Sequence, residues 1–401
     1  MKKFFVFLVV ILVFFLLFGG PKRQDGKVVV KFASWGSQSE VAFLHPLLED
    51  FEAKNPDIKV DFIHVPQNYF QKIHLLFASN LAPDVVFVNN YYLPKYVKAG
   101  LLEDVTALVR KSDYFDKSIK ALSVDNKLYA VPRDVSELVV YYNKDLFKKY
   151  GVSLPHENWT FDDYLKTAKL LSFDLNGDGK NDVWGTSYET EILFVYPYLL
   201  ANNVKIFDKN GDFGLNNPEA IETLNIFSDL ANKYNYAPQK QHSASLTMAQ
   251  MFLQQKIAMH LSGRWLVPKY RVDTDFDWDI VNFPCKNGGY CMNIDASGYA
   301  ISKKSKNKEQ AKRFVEYISS KEALDKLAQS GLIVPARVDS ANSDDFLAPF
   351  KKPEHSYIFL KTVENGVVLP INENYQKNVD KINTTLEPVF IGVKKAKDIF
   401  D

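Results

Sequence analysis

Lys27-Val-Val-Val-Lys-Phe-Ala-Ser34 opens a stretch, closing at Asp84-Val-Val-Phe-Val88, whose reading decides the fold class. Val28, Val30 and Phe32 alternate with polar or small residues, which predicts a strand. Leu44, Leu47, Leu48 and Phe51 then share one helical face that stops at Asn55-Pro56, and Pro46 implies a late start or a kink. Ile58, Val60 and Phe62 alternate again, and Phe70, Ile73 and Phe77 return to helical spacing. Asp84-Val-Val-Phe-Val88 is the unbroken apolar run of a central parallel strand. Strand, helix, strand, helix, strand is the rhythm of an open α/β sheet, and such sheets hold ligands beyond the carboxyl ends of their strands. The loops at 34–40, 66–69 and 89–92 are therefore the first places to seek a site.

Further on, Leu138-Val-Val-Tyr-Tyr142 reads as a strand ended by Asn143. Thr160 with Asp163 three residues later forms a capping box for a helix with Phe161, Leu165, Ala168 and Leu171 on its buried face. Asn217-Pro218 opens another helix, and Asn307 caps a third carrying Ala311, Phe314 and Ile318. The last part of the chain reads as mostly helical.

The whole chain has 401 residues, 46% apolar and 24% charged, with a net charge of +1. This is a globular composition long enough for two or three cores at roughly 100–200 residues each. Small disulfide scaffolds are excluded, and the balanced charge lacks the clustered Lys and Arg that a nucleic-acid backbone requires. At the amino terminus Lys2 and Lys3 precede an apolar run from Phe4 to Phe18, the layout of a secretory signal. As a helix this run reaches about 22 Å, short of the roughly 30 Å hydrocarbon layer. Residues 1–20 are thus expected to be a signal peptide or an uncleaved anchor, and the protein to be exported. Cys285 and Cys291 are the only cysteines, and the Lys-Asn-Gly-Gly-Tyr between them suits a turn; a hairpin disulfide is expected, against two unpaired thiols.

No phosphate loop, nucleophile elbow or paired-histidine zinc motif occurs, and the 7 His show no metal spacing. No organic cofactor is expected. One local signal is sharp: Asp174-Leu-Asn-Gly-Asp-Gly-Lys-Asn-Asp182 matches calcium-loop positions one, three, five, six and nine. The candidate ligands are Asp174, Asn176, Asp178, Lys180 and Asp182, for a structural calcium ion. Position twelve, where a bidentate Glu belongs, is Gly185; the other reading is a polar turn without an ion. Among the tryptophans, Trp35 and Trp265 follow strand-like runs and are ligand candidates, since flat rings bind apolar sugar faces; Trp159, Trp184 and Trp278 read as packing residues.

The order of segments resembles the family 1 extracellular solute-binding proteins of ABC importers, the group of maltose-binding and multiple-sugar-binding proteins. The resemblance is carried by Phe51 to Val60, Ala82 to Val88, Leu128-Tyr-Ala-Val-Pro132, Val140 to Phe147, Trp159 to Asp163, Ile257 to Trp265, Gly298 to Ser305 and Val334-Pro-Ala-Arg337, in family order. It implies a two-lobed periplasmic-binding-protein fold of type II. Each lobe would be an open, mostly parallel sheet flanked by helices, the two joined by a multi-strand hinge. The implied lobes are 27–133 with 288–336, and 134–287 with 337–401. It also implies a binding protein rather than an enzyme. A carbohydrate would be gripped between lobes that close by population shift and dock, as a monomer, on a membrane permease. Site residues carried over are Trp35, Ser37, Glu40, Asn68, Asn89, Asn90, Arg133, Asp134, Tyr188, Glu189, Arg264, Trp265 and Arg337, with Trp265 as the G-x-W aromatic that stacks on a sugar ring. No lipid-anchor Cys lies near the signal. The rival readings are an exported glycoside hydrolase, a binder of another polar solute such as a glycerol-phosphate ester, and an adhesion module.

Overall fold

The computed structural model describes residues 26–179, 181–208, 211–239 and 246–400. The N-terminal signal expectation and Lys180 lie outside these residues. Strand β1 (Val28–Ser34) pairs in parallel with β2 (Ile58–His64) and β3 (Val85–Asn89). The helix between β1 and β2, Gln38–Lys54, runs through Pro46, and the one between β2 and β3 is Tyr69–Ala78. β4 (Ser123–Val124) and β5 (Lys127–Leu128) form a small hairpin. The larger sheet then gains β6 (Val131–Ser136), and the chain passes at once into β7 (Leu138–Asn143) of a second sheet. That smaller sheet is completed by β8 (Trp184–Thr186), β9 (Ile257–Gly263) and β10 (Trp278–Val281). β11 (Asp295–Ile301) and β12 (Val334–Pro335) return to the larger one.

The six-stranded order is β12-β6-β11-β3-β1-β2 and the four-stranded order is β10-β7-β9-β8. This is the expected two-lobed α/β architecture, but the sheets are mixed rather than mostly parallel. β11 runs antiparallel to both β3 and β6, and β7 antiparallel to both β9 and β10. The cause is the connectivity: a strand that re-enters a sheet from the other lobe arrives from the opposite end. The chain crosses between sheets at Glu137 and again between Val281 and Asp295, and after Pro335 it leaves the larger sheet for helices, of which Tyr357–Asn365 packs on β7 of the smaller one. A lobe boundary at 133/134 falls inside β6, whose pairing to β11 and β12 continues beyond it.

Local signals mostly act as their chemistry dictates. Thr160 and Asp163 make both hydrogen bonds of the capping box on helix Phe161–Leu170, and Asn217 caps helix Pro218–Asn232. Asn307 does not cap its helix; its side-chain amide donates instead to Val29 O at 3.1 Å, tying the helix start to β1. Trp159, Trp184 and Trp278 are buried in packing positions. Cys285 and Cys291 are joined in a disulfide that closes a hairpin bridged at Pro284 and Tyr290.

Candidate functional site

On the larger lobe, β1 delivers Trp35 at its carboxyl end, where the half-buried indole packs on Phe87 at 4.1 Å and on Tyr69 and Phe70. Gly36 then turns the chain with φ +140, a conformation that side-chain-bearing residues rarely adopt. Ser37 accepts the Glu40 amide hydrogen as N-cap of the next helix, which places Glu40 in the first turn. Glu40 Oε1 receives Arg133 Nη1 at 2.7 Å, and Arg133 Nε donates to Asp134 at 2.5 Å. The guanidinium also lies 4.0 Å over the Phe87 ring. Burial works against its charge, but Asp134 and Glu40 outweigh that and hold it protonated.

On the smaller lobe, β9 ends at Gly263, whose backbone is ordinary and extended. What it supplies is space: a Cβ there would stand 1.9 Å from the Trp265 ring. The indole therefore folds back over the glycine and remains 40% exposed. Arg264 is buried, with its guanidinium 3.9 Å over the Phe346 ring and 5.0 Å over Phe359, and Nη2 donating to Phe346 O at 3.0 Å.

Between the lobes these residues enclose two adjoining cavities. The first, of about 290 Å³, has Trp35, Glu40, Arg133 and Asp134 on the larger lobe and Arg264 and Trp265 on the smaller. The second, of about 130 Å³, adds Asn89, Tyr91, Leu193, Asn293 and Asp295. Ser136, Glu137, Trp265 and Ser297 belong to both walls. Trp35, Glu137 and Trp265 follow the carboxyl ends of strands and Asn89 closes one, as the topology requires. Ser297 is turned toward the cleft at a β-bulge where the pairing of β11 with β6 shifts register.

The electrostatics are acidic. Asp295 is buried and hydrogen-bonded by Tyr91, Asn90 and Asn293, and burial raises its pKa to about 6. Glu137 is 3% exposed; burial holds it well above the usual carboxylate range, with Arg264 opposing. Burial and the neighbouring Arg271 lower Arg264 to about 9.

Not every predicted residue joins these walls. Ser37 is spent on its helix cap. Asn68, at φ 52, stands exposed before the next helix. Asn90 is buried behind Asp295, donating to it and accepting from Ala296 N. Tyr188 is buried against Phe227 and donates to Phe390 O, while Glu189 pairs with His260 at 3.0 Å. Arg337 binds Asp339 and Asp113 at the last crossing. Conversely, Glu137, Ser297, Asp295, Leu332 and Ile333 line these walls without a motif of their own, because only the crossings bring them together; Glu137 carries one signal, a charge beside an apolar strand.

In the 174–182 loop, Asp174 accepts the amide hydrogens of Gly177 and Gly179 at 2.7 and 2.8 Å, and Asp182 accepts that of Leu175 at 2.8 Å. Gly179, at the sixth position, has φ +83, the sharp turn that calcium loops need there.

A sequence model of the family described as bacterial extracellular solute-binding protein matches residues 35–325. The maltodextrin-binding protein MdxE of Bacillus subtilis is 26% identical over 310 residues, covering 75% of this chain and 71% of its own. The multiple sugar-binding protein of Streptococcus mutans is 25% identical over 326 residues, covering 76% and 74%. Among solved structures, a Listeria monocytogenes ABC substrate-binding protein in complex with cycloalternan superposes with a TM-score of 0.84 at 26% identity, over 93% of this chain and 96% of that one.

Proposed function

We propose, from the premise that this chain belongs to the bacterial extracellular solute-binding protein family, that it is the carbohydrate receptor of an ABC importer. A saccharide enters the cleft, contacts both lobes, stabilises the closed form and is handed as cargo to a membrane permease by a monomeric, exported protein. The observation that carries this reading is Trp265, a large indole left 40% exposed on the wall common to both cavities, with Trp35 of the other lobe on the wall of the first. Aromatic faces flanked by charged hydrogen-bonding groups suit a ring with apolar faces and a hydroxylated rim. The maltodextrin-binding and multiple sugar-binding relatives and the protein in complex with cycloalternan support the same class. No helix among the described residues is long and apolar enough to cross a membrane.

Charge argues against a phosphate ester. Glu40, Asp134, Glu137 and Asp295 face the cavities against Arg133 and Arg264, and Arg133 is engaged by two of those carboxylates. The same engagement weakens the hydrolase reading, since a general acid and a nucleophile need carboxylates free to act. A thermal-shift and tryptophan-fluorescence screen over mono- and oligosaccharides tests the proposal. A rise in melting temperature with quenching and no release of reducing ends is expected. Turnover, or indifference to every saccharide, would overturn it.

We propose also that the 174–182 loop takes calcium in the weak range of extracellular modules, about 10⁻⁴–10⁻³ M. The left-handed Gly179 supports this. Millimolar calcium should raise the melting temperature, and Asp174→Asn should abolish the response; equal melting with calcium and with chelator rejects it.

A further inference from the structure

Two charged groups in the cleft are buried without the partners their chemistry demands. Glu137 stands at the first crossing between the lobes, on the wall of both cavities, and neither of its carboxylate oxygens has a hydrogen-bond partner among the described residues. Arg264, across the first cavity on the smaller lobe, is satisfied only at Nη2; its Nε and Nη1 are enclosed and unpartnered. The two make no ion pair with each other. Every other charged group on the wall of the first cavity is engaged, Arg133 with Glu40 and Asp134. Native interiors satisfy nearly all buried polar atoms, so an acceptor and a donor left open beside one cavity mark where something else is meant to sit.

We propose that Glu137 and Arg264 are the specificity-determining residues of this cleft. A saccharide lying against the Trp265 indole donates one hydroxyl to the Glu137 carboxylate and presents an adjacent oxygen as acceptor to Arg264. This inference rests on the carbohydrate reading and narrows it: the ligand is a neutral saccharide with neighbouring hydroxyls. It also explains why an acid is kept at a buried crossing at all. A carboxylate enclosed without a partner lowers the stability of the empty protein, a cost that sites retain when function requires it.

The test uses the full chain and the saccharide that gives wild type its largest thermal shift. Glu137→Gln keeps the shape and removes the acid. Its empty form should melt at or above the wild-type temperature, while its affinity by calorimetry falls about ten- to a hundredfold, the range for losing a hydrogen bond to a charged group. Arg264→Lys should lose affinity similarly, and the double variant should lose less than the product of the two, because both groups hold one ligand edge. Unchanged affinity in Glu137→Gln overturns the inference alone, as does a lower melting temperature with affinity intact, which would make Glu137 structural. A wild type that binds no saccharide overturns the carbohydrate reading and this inference with it.

Discussion

At Gly263 the absence of a side chain matters for space rather than for backbone freedom. Its φ of −92 is open to any residue, so alanine there does not strain the backbone and collides first with the Trp265 ring. Gly263→Ala should therefore leave the melting temperature of the empty protein within a few degrees of wild type and weaken saccharide binding nearly as much as Trp265→Ala, about tenfold or more by calorimetry. Asp295 supplies a prediction in pH. Its carboxyl titrates near 6 when folded, against 3.8 for a free aspartate, so between those values the native state holds a proton that the unfolded chain has released. The contribution of this group to stability is most favourable below about pH 4 and falls by about 3 kcal/mol as pH rises to 6 and beyond. Denaturant titrations of wild type and Asp295→Asn across pH 4–7 should show that difference opening in this window; parallel curves would count against it. The sequence announced Trp35 and Trp265 because flat rings after strands are visible in a single chain. It could not announce Glu137, because nothing in a linear string tells an acid beside a strand from one enclosed between two lobes.

Among elements, the tie between helix Gln38–Lys54 and β6 is the most exposed to test. Glu40 in the helix's first turn holds Arg133 on the strand, and both side chains are largely buried. Removing Glu40 leaves Arg133 with Asp134 as its remaining carboxylate, so Glu40→Ala should cost about 2 kcal/mol in denaturant unfolding, the loss of a hydrogen bond to a charged group. Glu137→Gln, which breaks no pair, should cost nothing. This contrast separates the acid that builds the cleft wall from the acid that waits in it. Strands such as β1, β2 and β3 were legible because their alternation faces a core on a fixed period, and the capping box at Thr160 because its partners lie within one turn. The mixed strand directions were not, since direction depends on which lobe the chain last visited. Nor was Asn307's bond to Val29, which joins positions far apart in sequence.

For the molecule as a whole, a cleft bordered by three crossings predicts motion by bending at those crossings rather than by unfolding. Saturating saccharide should reduce the radius of gyration in small-angle scattering while leaving far-ultraviolet dichroism unchanged; a scattering curve indifferent to ligand would favour a rigid adhesion module instead. The placement of β11 carries one more consequence. It lies between β3 and β6, yet it comes from residues 295–301, after the whole strand set of the smaller lobe has been laid down. Until that segment arrives, the earlier strands surround an unfilled slot, with two raw borders ready to recruit whatever extended peptide is nearby. Order of synthesis and order of assembly thus differ: the sheet that begins first stays open until every strand of the smaller one has been made, and a chain halted short of residue 295 would be a sticky, gap-toothed intermediate rather than half a receptor.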